Sequence, residues 1–490
     1  MRASGIKPGR RAALSTLFAR LRSHVTIEAR VGGEIAARFG GHSVGLGRFS
    51  PEVADHAKDL HKGLPLASFA PGGRNFGKEI DLLVRRLARQ GLLEYRLGRP
   101  QNGADLAIIE PQVPDYWPQA PQLDDGDTLV LSRFGYMRRR GNEMVLESPR
   151  AGALFKICDP TIAAPIAMLS TPQQIKQLRR RDGFPGVTFL ALLVDCQIIL
   201  KTNDADESSL RPAEGRDNFV LWEFHDLLFH ARSTQGRHAN PLGGVYPFMG
   251  IISPLPAVRP QWSGKKISLR KFSAAHQEEI SAFAKLLRER HSARIFDDQR
   301  PITLAELSRF LDHTARVLSV SKGTAGHDSG EPADTHAVRP YPSAGASYEL
   351  ELYLAINNCE ELARGFYHYD AGAHALAPIR VPKNELEALL REAQYAMGVQ
   401  ALPQILITIA ARFGRVSWKY SSIAYALILK DAGVLTQTLY LTAADMGLGG
   451  CAIGIANIDR FAKMTGIEFY VEGPVGQFAI GRCAKLGALG

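Results

Sequence analysis

The sequence predicts an α+β chain made of several domains, and three observations carry that prediction. At 490 residues the chain is too long for one core, so two to four domains are expected. Its 45% apolar and 22% charged residues fit folded globular domains rather than disorder. From about residue 272 helix-like and strand-like segments succeed one another as in an α+β or mixed α/β layered domain.

In chain order, residues 1–21 read as a basic tail, with Arg2, Lys7, Arg10, Arg11 and Arg20 in it. No long apolar stretch or small-residue cleavage site accompanies these charges, so no secretory signal is expected. Residues 22–115 form a first unit. Apolar residues at 80, 83, 84 and 87 make a helical stripe, Gly91 ends it, and Leu92–Leu97 can enter a strand. Helix, glycine and short strand are how a winged-helix unit finishes. Pro111, Pro114, Pro118 and Pro121, with Asp124 and Asp125, read as a linker.

A second winged-helix-like unit is expected over 116–205. Thr128–Phe134 and Glu143–Ser148 should form a hairpin joined through Arg138-Arg139-Arg140-Gly141-Asn142. Helices are expected around Ala163–Leu169 and Pro172–Arg181, then an apolar segment over Gly186–Leu200. Residues 206–271 connect front to back. They hold an apolar, helical stretch at Trp222–His230 and a Pro/Gly-rich stretch, Pro241–Pro260, that should run over a surface.

The last domain is expected over 272–490. Helices are expected near 276–291, 303–318 and 384–397. Strands are expected near Tyr348–Ile356, Leu376–Arg380, Gln404–Ala411 and Gly476–Gly481, with a polar loop at 319–338. The longest apolar stretch follows Tyr420. Lys430 and Asp431 sit midway along it, which favours a buried helix over a membrane span.

The net charge of +10 is uneven. Residues 1–205 hold 29 Lys+Arg against 20 Asp+Glu, and the remainder 30 against 29. The front could therefore meet nucleic acid or an acidic peptide, or simply present a soluble basic surface. Arg138–Arg140 and Arg179–Arg181 are short runs without a dense recognition-helix cluster, so nucleic acid is the weaker expectation. Five scattered cysteines, none in Cys-x-x-Cys, fit a reducing, cytoplasmic setting and argue against a zinc cluster. Cys451 is read as a buried small residue rather than a nucleophile.

Five short segments could carry chemistry. Arg290-His291-Ser292-Ala293-Arg294 offers two guanidiniums and a hydroxyl, a set suited to phosphate, or else a solvated helix end. Arg339-Pro340-Tyr341-Pro342-Ser343-Ala344-Gly345 would let backbone approach a flat ligand, or be a plain turn. Gly447-Leu448-Gly449-Gly450 is a glycine-rich turn after the long helix, and matches neither the dinucleotide nor the P-loop fingerprint. Gly481-Arg482 adds a further phosphate candidate. Lys419 and Tyr420 open the long apolar helix; as close neighbours in a dry pocket each would favour the reactive form of the other, or else they are two ordinary residues at a helix start.

These segments together resemble the FMN-dependent nitroreductase fold. Within it they resemble the azoline dehydrogenases of the streptolysin and cyanobactin type, which oxidise thiazolines and oxazolines in ribosomally made peptides. Gly365-Phe366-Tyr367-His368-Tyr369 and Gln437 belong to the same ordered set. The resemblance implies that Arg290, Ser292, Arg294 and Arg482 hold the FMN phosphate and ribityl chain. Pro342, Ser343 and Gly345 would line the flavin ring, with Gln437, Gly447, Gly449 and Gly450 also at the cofactor. Lys419 and Tyr420 would be catalytic, with Tyr420 favoured as base. It further implies a homodimer, a precursor peptide bearing azolines as substrate, leader-peptide recognition by the front units, and a cyclodehydratase as a partner in some members. No metal or membrane is implied. The readings left beside it are an NAD(P)H-dependent nitro- or flavin reductase and a nucleic-acid-binding regulator.

Overall fold

The chain divides into two units, Met1–Ala239 and Asn240–Gly490, in the computed structural model. Residues 16–30, 32–66, 77–98, 104–202, 214, 217–240, 242–261, 263–269, 280–322 and 335–484 are described.

In the first unit β1 (Thr16–Leu21), β2 (Thr26–Ala29), β3 (Glu34–Phe39) and β4 (His42–Arg48) lead into α1 (Pro51–Asp59) and β5 (Leu64–Pro65). Next come α2 (Lys78–Arg89), β6 (Leu93–Gly98) and β7 (Asp105–Pro111). The stripe foreseen on α2 is real: Ile80, Leu83, Val84, Leu87 and Ala88 are buried. Gly91, at φ +65°, turns the chain from α2 into β6.

Further along lie β8 (Thr128–Leu131), β9 (Tyr136–Arg140), β10 (Glu143–Glu147) and β11 (Ala153–Ile157). They are followed by α3 (Ala163–Met168), β12 (Gln173–Gln174), α4 (Ile175–Leu178), α5 (Val187–Asp195) and β13 (Ile199–Thr202). The unit closes with α6 (Asp217–Val220) and α7 (Phe224–Ser233).

Three expectations are corrected here. Residues 16–21 are not tail: β1 pairs with β6 from Thr16 to Leu21, burying Ala19 and Leu21. Residues 1–15 lie outside the described set. The hairpin partner of β10 is β9, not β8, so Arg138–Arg140 are strand residues; β8 instead pairs with β12 and β13. Finally, a seven-stranded sheet in the order β5-β1-β6-β7-β11-β10-β9 crosses the position expected to separate the two front units. The strand pair β7–β11 joins them. Arg138 and Arg140 pair with Glu147 and Glu110, each at 2.7 Å, so these cations answer acids of their own sheet.

The second unit opens on the stretch over 242–261, which is exposed and carries no helix or strand. It continues with α8 (Ala282–Glu289), β14 (Ile302–Thr303), α9 (Leu304–Ala315), β15 (Ser319–Lys322) and β16 (Thr335–Val338). β15 and β16 form a hairpin where a polar loop was expected; residues 323–334 lie outside the described set. Then follow β17 (Leu350–Ile356), β18 (Cys359–Glu360), β19 (Gly365–Asp370), β20 (Ala375–Ile379) and α10 (Lys383–Met397). The chain ends with β21 (Ile405–Arg412), α11 (Phe413–Ser417), α12 (Ala424–Asp445), β22 (Gly449–Ile453), α13 (Ile458–Thr465) and β23 (Glu472–Gly481).

One antiparallel sheet, β20-β19-β17-β21-β23-β22, organises this unit. Its central strand β21 reads ILITIAAR and is buried from Ile405 to Ala411, as expected of a strand covered on both faces. The long helix α12 packs on β17, β22 and β23 and against α8, α9 and α11. Lys430 is exposed and Asp431 buried on that helix. No helix among the described residues is long and apolar enough to cross a membrane.

Candidate active site

Lys419 and Tyr420 do not lie in the first turn of the long helix. They follow α11, their N–H groups donating to Val416 O at 3.0 and 2.8 Å, and α12 starts only at Ala424. Ser422, at φ +59°, is part of the link between them. This correction removes a geometric difficulty. Adjacent residues inside a helix diverge, whereas in a link both side chains can converge, and here they do. Lys419 Nζ donates to Gly345 O at 3.4 Å and lies 5.7 Å from the Tyr420 ring centre. A Cβ placed on Gly345 would meet Tyr420 Oη at 2.4 Å and Lys419 Nζ at 3.1 Å. Two segments more than 70 residues apart in sequence thus meet at one glycine, where a Cβ would crowd the tips of both side chains.

The turn carrying Gly345 is unusual in its backbone. Gly345, Ala346 and Tyr348 have φ of +56°, +52° and +46°. Pro342 and Gly345 are exposed on it. Ser343, expected at the flavin ring, points its hydroxyl at Asp431 of α12, Oγ to Oδ2 2.9 Å, and at Glu349, Oγ to Oε2 3.2 Å. Ala344 N–H donates to the same Asp431 oxygen at 2.9 Å. Burial pushes the Glu349 carboxyl up to about 7, and the neighbouring Asp431 carboxylate adds to the shift.

The cationic segment is assembled on the other end of α12. Asp431 and Tyr440 lie nine residues apart on it, roughly 13 Å along its axis. Arg290 ends α8 with its guanidinium 5.0 Å from the centre of the Tyr440 ring. Ser292 bridges to Gly450, and its Oγ lies 2.8 Å from Tyr440 Oη. Tyr440 Oη also accepts from Ala452 N–H at 2.8 Å. Arg294 is exposed. Tyr440, Asp431 and Glu349 were not singled out as site residues from the sequence. Each is an ordinary helix or pre-strand residue until the fold brings its partner close.

Arg482 is placed differently from expectation. Its guanidinium contacts both oxygens of Glu306, at 2.8 and 2.6 Å, and Glu306 also closes the capping box of α9 with Thr303. Burial works against that carboxylate, but Arg482 and the Thr303 N–H hold it below the ordinary glutamate range. The glycines divide by role. Gly447, φ +67°, ends α12: its N–H donates to Ala444 O and that of Leu448 to Ala443 O, a Schellman arrangement. Gly449 and Gly450 are not turn residues but the start of β22. A Cβ on the former would lie 2.4 Å from Cys483 Sγ, and on the latter 2.2 Å from the Phe478 ring. Packing therefore requires glycine at both. Gln437 is exposed on α12.

A separate cavity of about 350 Å³ lies among α9, β19 and β20, lined by Leu307, Leu311, Leu362 and Leu376 with Ser308 and His374. None of the residues expected at the flavin or the substrate lines it. Cys451 is buried, and burial raises its thiol, so it has no thiolate character to offer.

Residues 129–239 match the family model of the cyanobactin oxidase ThcOx, and residues 287–482 match that of the nitroreductase family. A protein of Methanocaldococcus jannaschii named as a nitroreductase is 26% identical over 170 residues, which are 35% of this chain and 77% of the relative. A solved structure from Ralstonia eutropha, titled as a nitroreductase, is 24% identical, covers 43% of this chain and 86% of its own, and has a TM-score of 0.33. The microcin synthetase McbBCD complex of E. coli, solved with truncated pro-MccB17 bound, contains a chain 20% identical. The match covers 57% of this chain and 99% of that one, with a TM-score of 0.39.

Proposed function

We propose that this oxidoreductase, which joins a cyanobactin-oxidase region to a nitroreductase-family domain, is an FMN-dependent azoline dehydrogenase acting on a ribosomally made peptide. The observation that carries the reading is the convergence of Lys419 and Tyr420 on Gly345.

The residues present fit FMN. Two guanidiniums and a hydroxyl at Arg290, Ser292 and Arg294 are the donor set a phosphate requires. Arg290 and Ser292 are held in place by Tyr440, as an ordered anion site needs. The exposed turn at Pro342 and Gly345 offers backbone to a flat ring. FMN, when bound, supplies the acceptor for the hydride lost by the ring being oxidised. Everything else falls to the chain.

Becoming an azole also costs the azoline a proton, from the ring carbon next to the carbonyl. We assign that proton to Tyr420 Oη. Lys419 Nζ, bonded to Gly345 O and 5.7 Å from the centre of the Tyr420 ring, places its amine beside that base. Gly345 lets both side chains close over one point, because nothing at that position projects between them. Arg482 fixes Glu306, and thereby the start of α9.

The precursor peptide is the substrate in this reading, with its leader held by the first unit. A cyclodehydratase would deliver the azolines, in the cytoplasm. A second copy of the chain would complete the flavin site and cover the exposed apolar residues Met249, Ile251, Leu255 and Phe283, which are 81, 78, 92 and 61% exposed. The test is paired substitution. Tyr420→Phe and Lys419→Ala should each keep FMN bound and lose azole formation; full azole formation by both would overturn the assignment.

A further inference from the structure

We propose that Glu349 and Asp431 share one proton across Ser343, and that this clamp is a positioning device for Lys419 and Tyr420. The clamp follows from counting protons. Ser343 Oγ has three polar neighbours: Tyr348 N at 2.9 Å, Asp431 Oδ2 at 2.9 Å and Glu349 Oε2 at 3.2 Å. A hydroxyl carries one proton and two acceptor positions. The Tyr348 N–H occupies one acceptor position. The hydroxyl proton goes to Asp431, the nearer carboxylate. The contact with Glu349 then has no proton of its own unless Glu349 supplies it. With that proton on Glu349, donated to the second acceptor position, all three contacts are hydrogen bonds.

The identity of the acid follows from the remaining partners. Asp431 Oδ2 also accepts from Ala344 N–H, so two donors already converge on that oxygen. Glu349 is wholly buried, and its Oε1 has no hydrogen-bond partner among the described residues. Burial penalises its charge, and the neighbouring Asp431 side chain penalises it further. Tyr341, whose buried hydroxyl is likewise unpartnered among the described residues, lies close to Glu349, and Arg339, Glu351 and Tyr348 neighbour Tyr341 in turn.

What the clamp holds is the turn. Three of its residues, Gly345, Ala346 and Tyr348, have positive φ, two of them with side chains, a conformation that persists only when the surroundings impose it. Asp431 imposes it from α12, gripping Ser343 Oγ and Ala344 N. The next residue, Gly345, carries the carbonyl that receives Lys419 Nζ and the bare Cα against Tyr420. Glu349 and Asp431 therefore act on the reaction through the turn.

The activity arm of the test rests on the azoline reading; the spectroscopic arm does not. Full-length FMN-loaded protein and its Glu349→Gln variant are compared by infrared difference spectroscopy at pH 7. A protonated carboxyl band in the wild type, absent from the variant, is expected; no such band would overturn the shared proton. Glu349→Gln keeps an N–H donor toward Ser343, whereas Glu349→Leu does not. The Gln variant should retain kcat, and the Leu variant should lose about tenfold in kcat for a thiazoline peptide at unchanged KM. Equal, wild-type kcat in both would overturn the positioning role. Should the wild type leave a thiazoline peptide unoxidised, the azoline reading fails. The clamp is then decided by the visible circular dichroism of bound FMN: altered in the Leu variant but not the Gln variant supports it, and unaltered in both overturns it.

Discussion

Replacing Gly345 with alanine perturbs the point where the two halves of the candidate site meet. The added Cβ would sit 2.4 Å from Tyr420 Oη and 3.1 Å from Lys419 Nζ. Ordinary van der Waals contact begins near 3.4 Å, so the Tyr420 hydroxyl must retreat by about 1 Å. A displacement of about 1 Å in a reacting group can lower a rate by on the order of a hundredfold. The backbone adds a second, separable cost. At φ +56° an alanine is less stable than glycine by about 1–2 kcal/mol. That lowers the thermal midpoint of a domain of 150–250 residues by a few degrees. The assay measures azole formation from a thiazoline peptide, FMN content and thermal midpoint on the same preparation. A kcat loss of roughly a hundredfold with FMN retained and a midpoint only a few degrees lower is expected. An alanine variant with wild-type kcat would refute the placement of Tyr420 against Gly345.

Four further outcomes follow from the same geometry. Tyr440→Phe deletes the acceptor of Ala452 N–H and the partner of Ser292 Oγ, so FMN affinity measured by fluorescence quenching should fall about tenfold, and unchanged affinity would remove Tyr440 from the site. Arg290→Ala and Arg294→Ala should each weaken FMN by about tenfold or more. Arg482→Ala should instead lower the thermal midpoint, because Glu306 loses its partner; a loss of FMN affinity as large as that of Arg290→Ala would return Arg482 to the phosphate. The last outcome concerns pH. The Glu349 carboxyl is raised in the folded protein to about 7 from its ordinary value of 4.5, so the folded state binds the extra proton. Its contribution to stability is full below about pH 4.5 and is lost as pH rises through about 7, by about 3 kcal/mol. Denaturant unfolding of the wild type and Glu349→Gln across that window should show a slope in the first that is missing in the second, and parallel profiles would contradict it.

Much of the second unit was legible because local signals and tertiary structure agree there. The largely apolar runs of β17 and β21 reflect burial on both sheet faces, and α10 and α9 carry stripes with clear ends. Residue order also exposed the arginines and the Lys–Tyr pair. What stayed hidden depends on partners distant in sequence. Nothing local reveals that Ser343 faces Asp431, 88 residues on, or that Arg482 meets Glu306, 176 residues back. The glycines misled for a related reason. A glycine required by a neighbour's bulk, as at Gly449 and Gly450, reads in sequence like one required by a turn. In the first unit Arg138–Arg140 looked like a hairpin loop because charge and a following Gly-Asn suggest a turn. The turn is there, but the arginines are strand residues, and Glu147 and Glu110 answer the charges of Arg138 and Arg140.

The most direct measurement mixes FMN-loaded protein, without oxygen, with either a thiazoline-bearing peptide or NADPH, and follows the flavin absorbance. Bleaching by the peptide and not by NADPH, with one azole formed per flavin reduced and both lost in Tyr420→Phe, is the result expected of an azoline dehydrogenase. Rapid bleaching by NADPH with no response to the peptide would contradict it and make the protein a nicotinamide-dependent reductase.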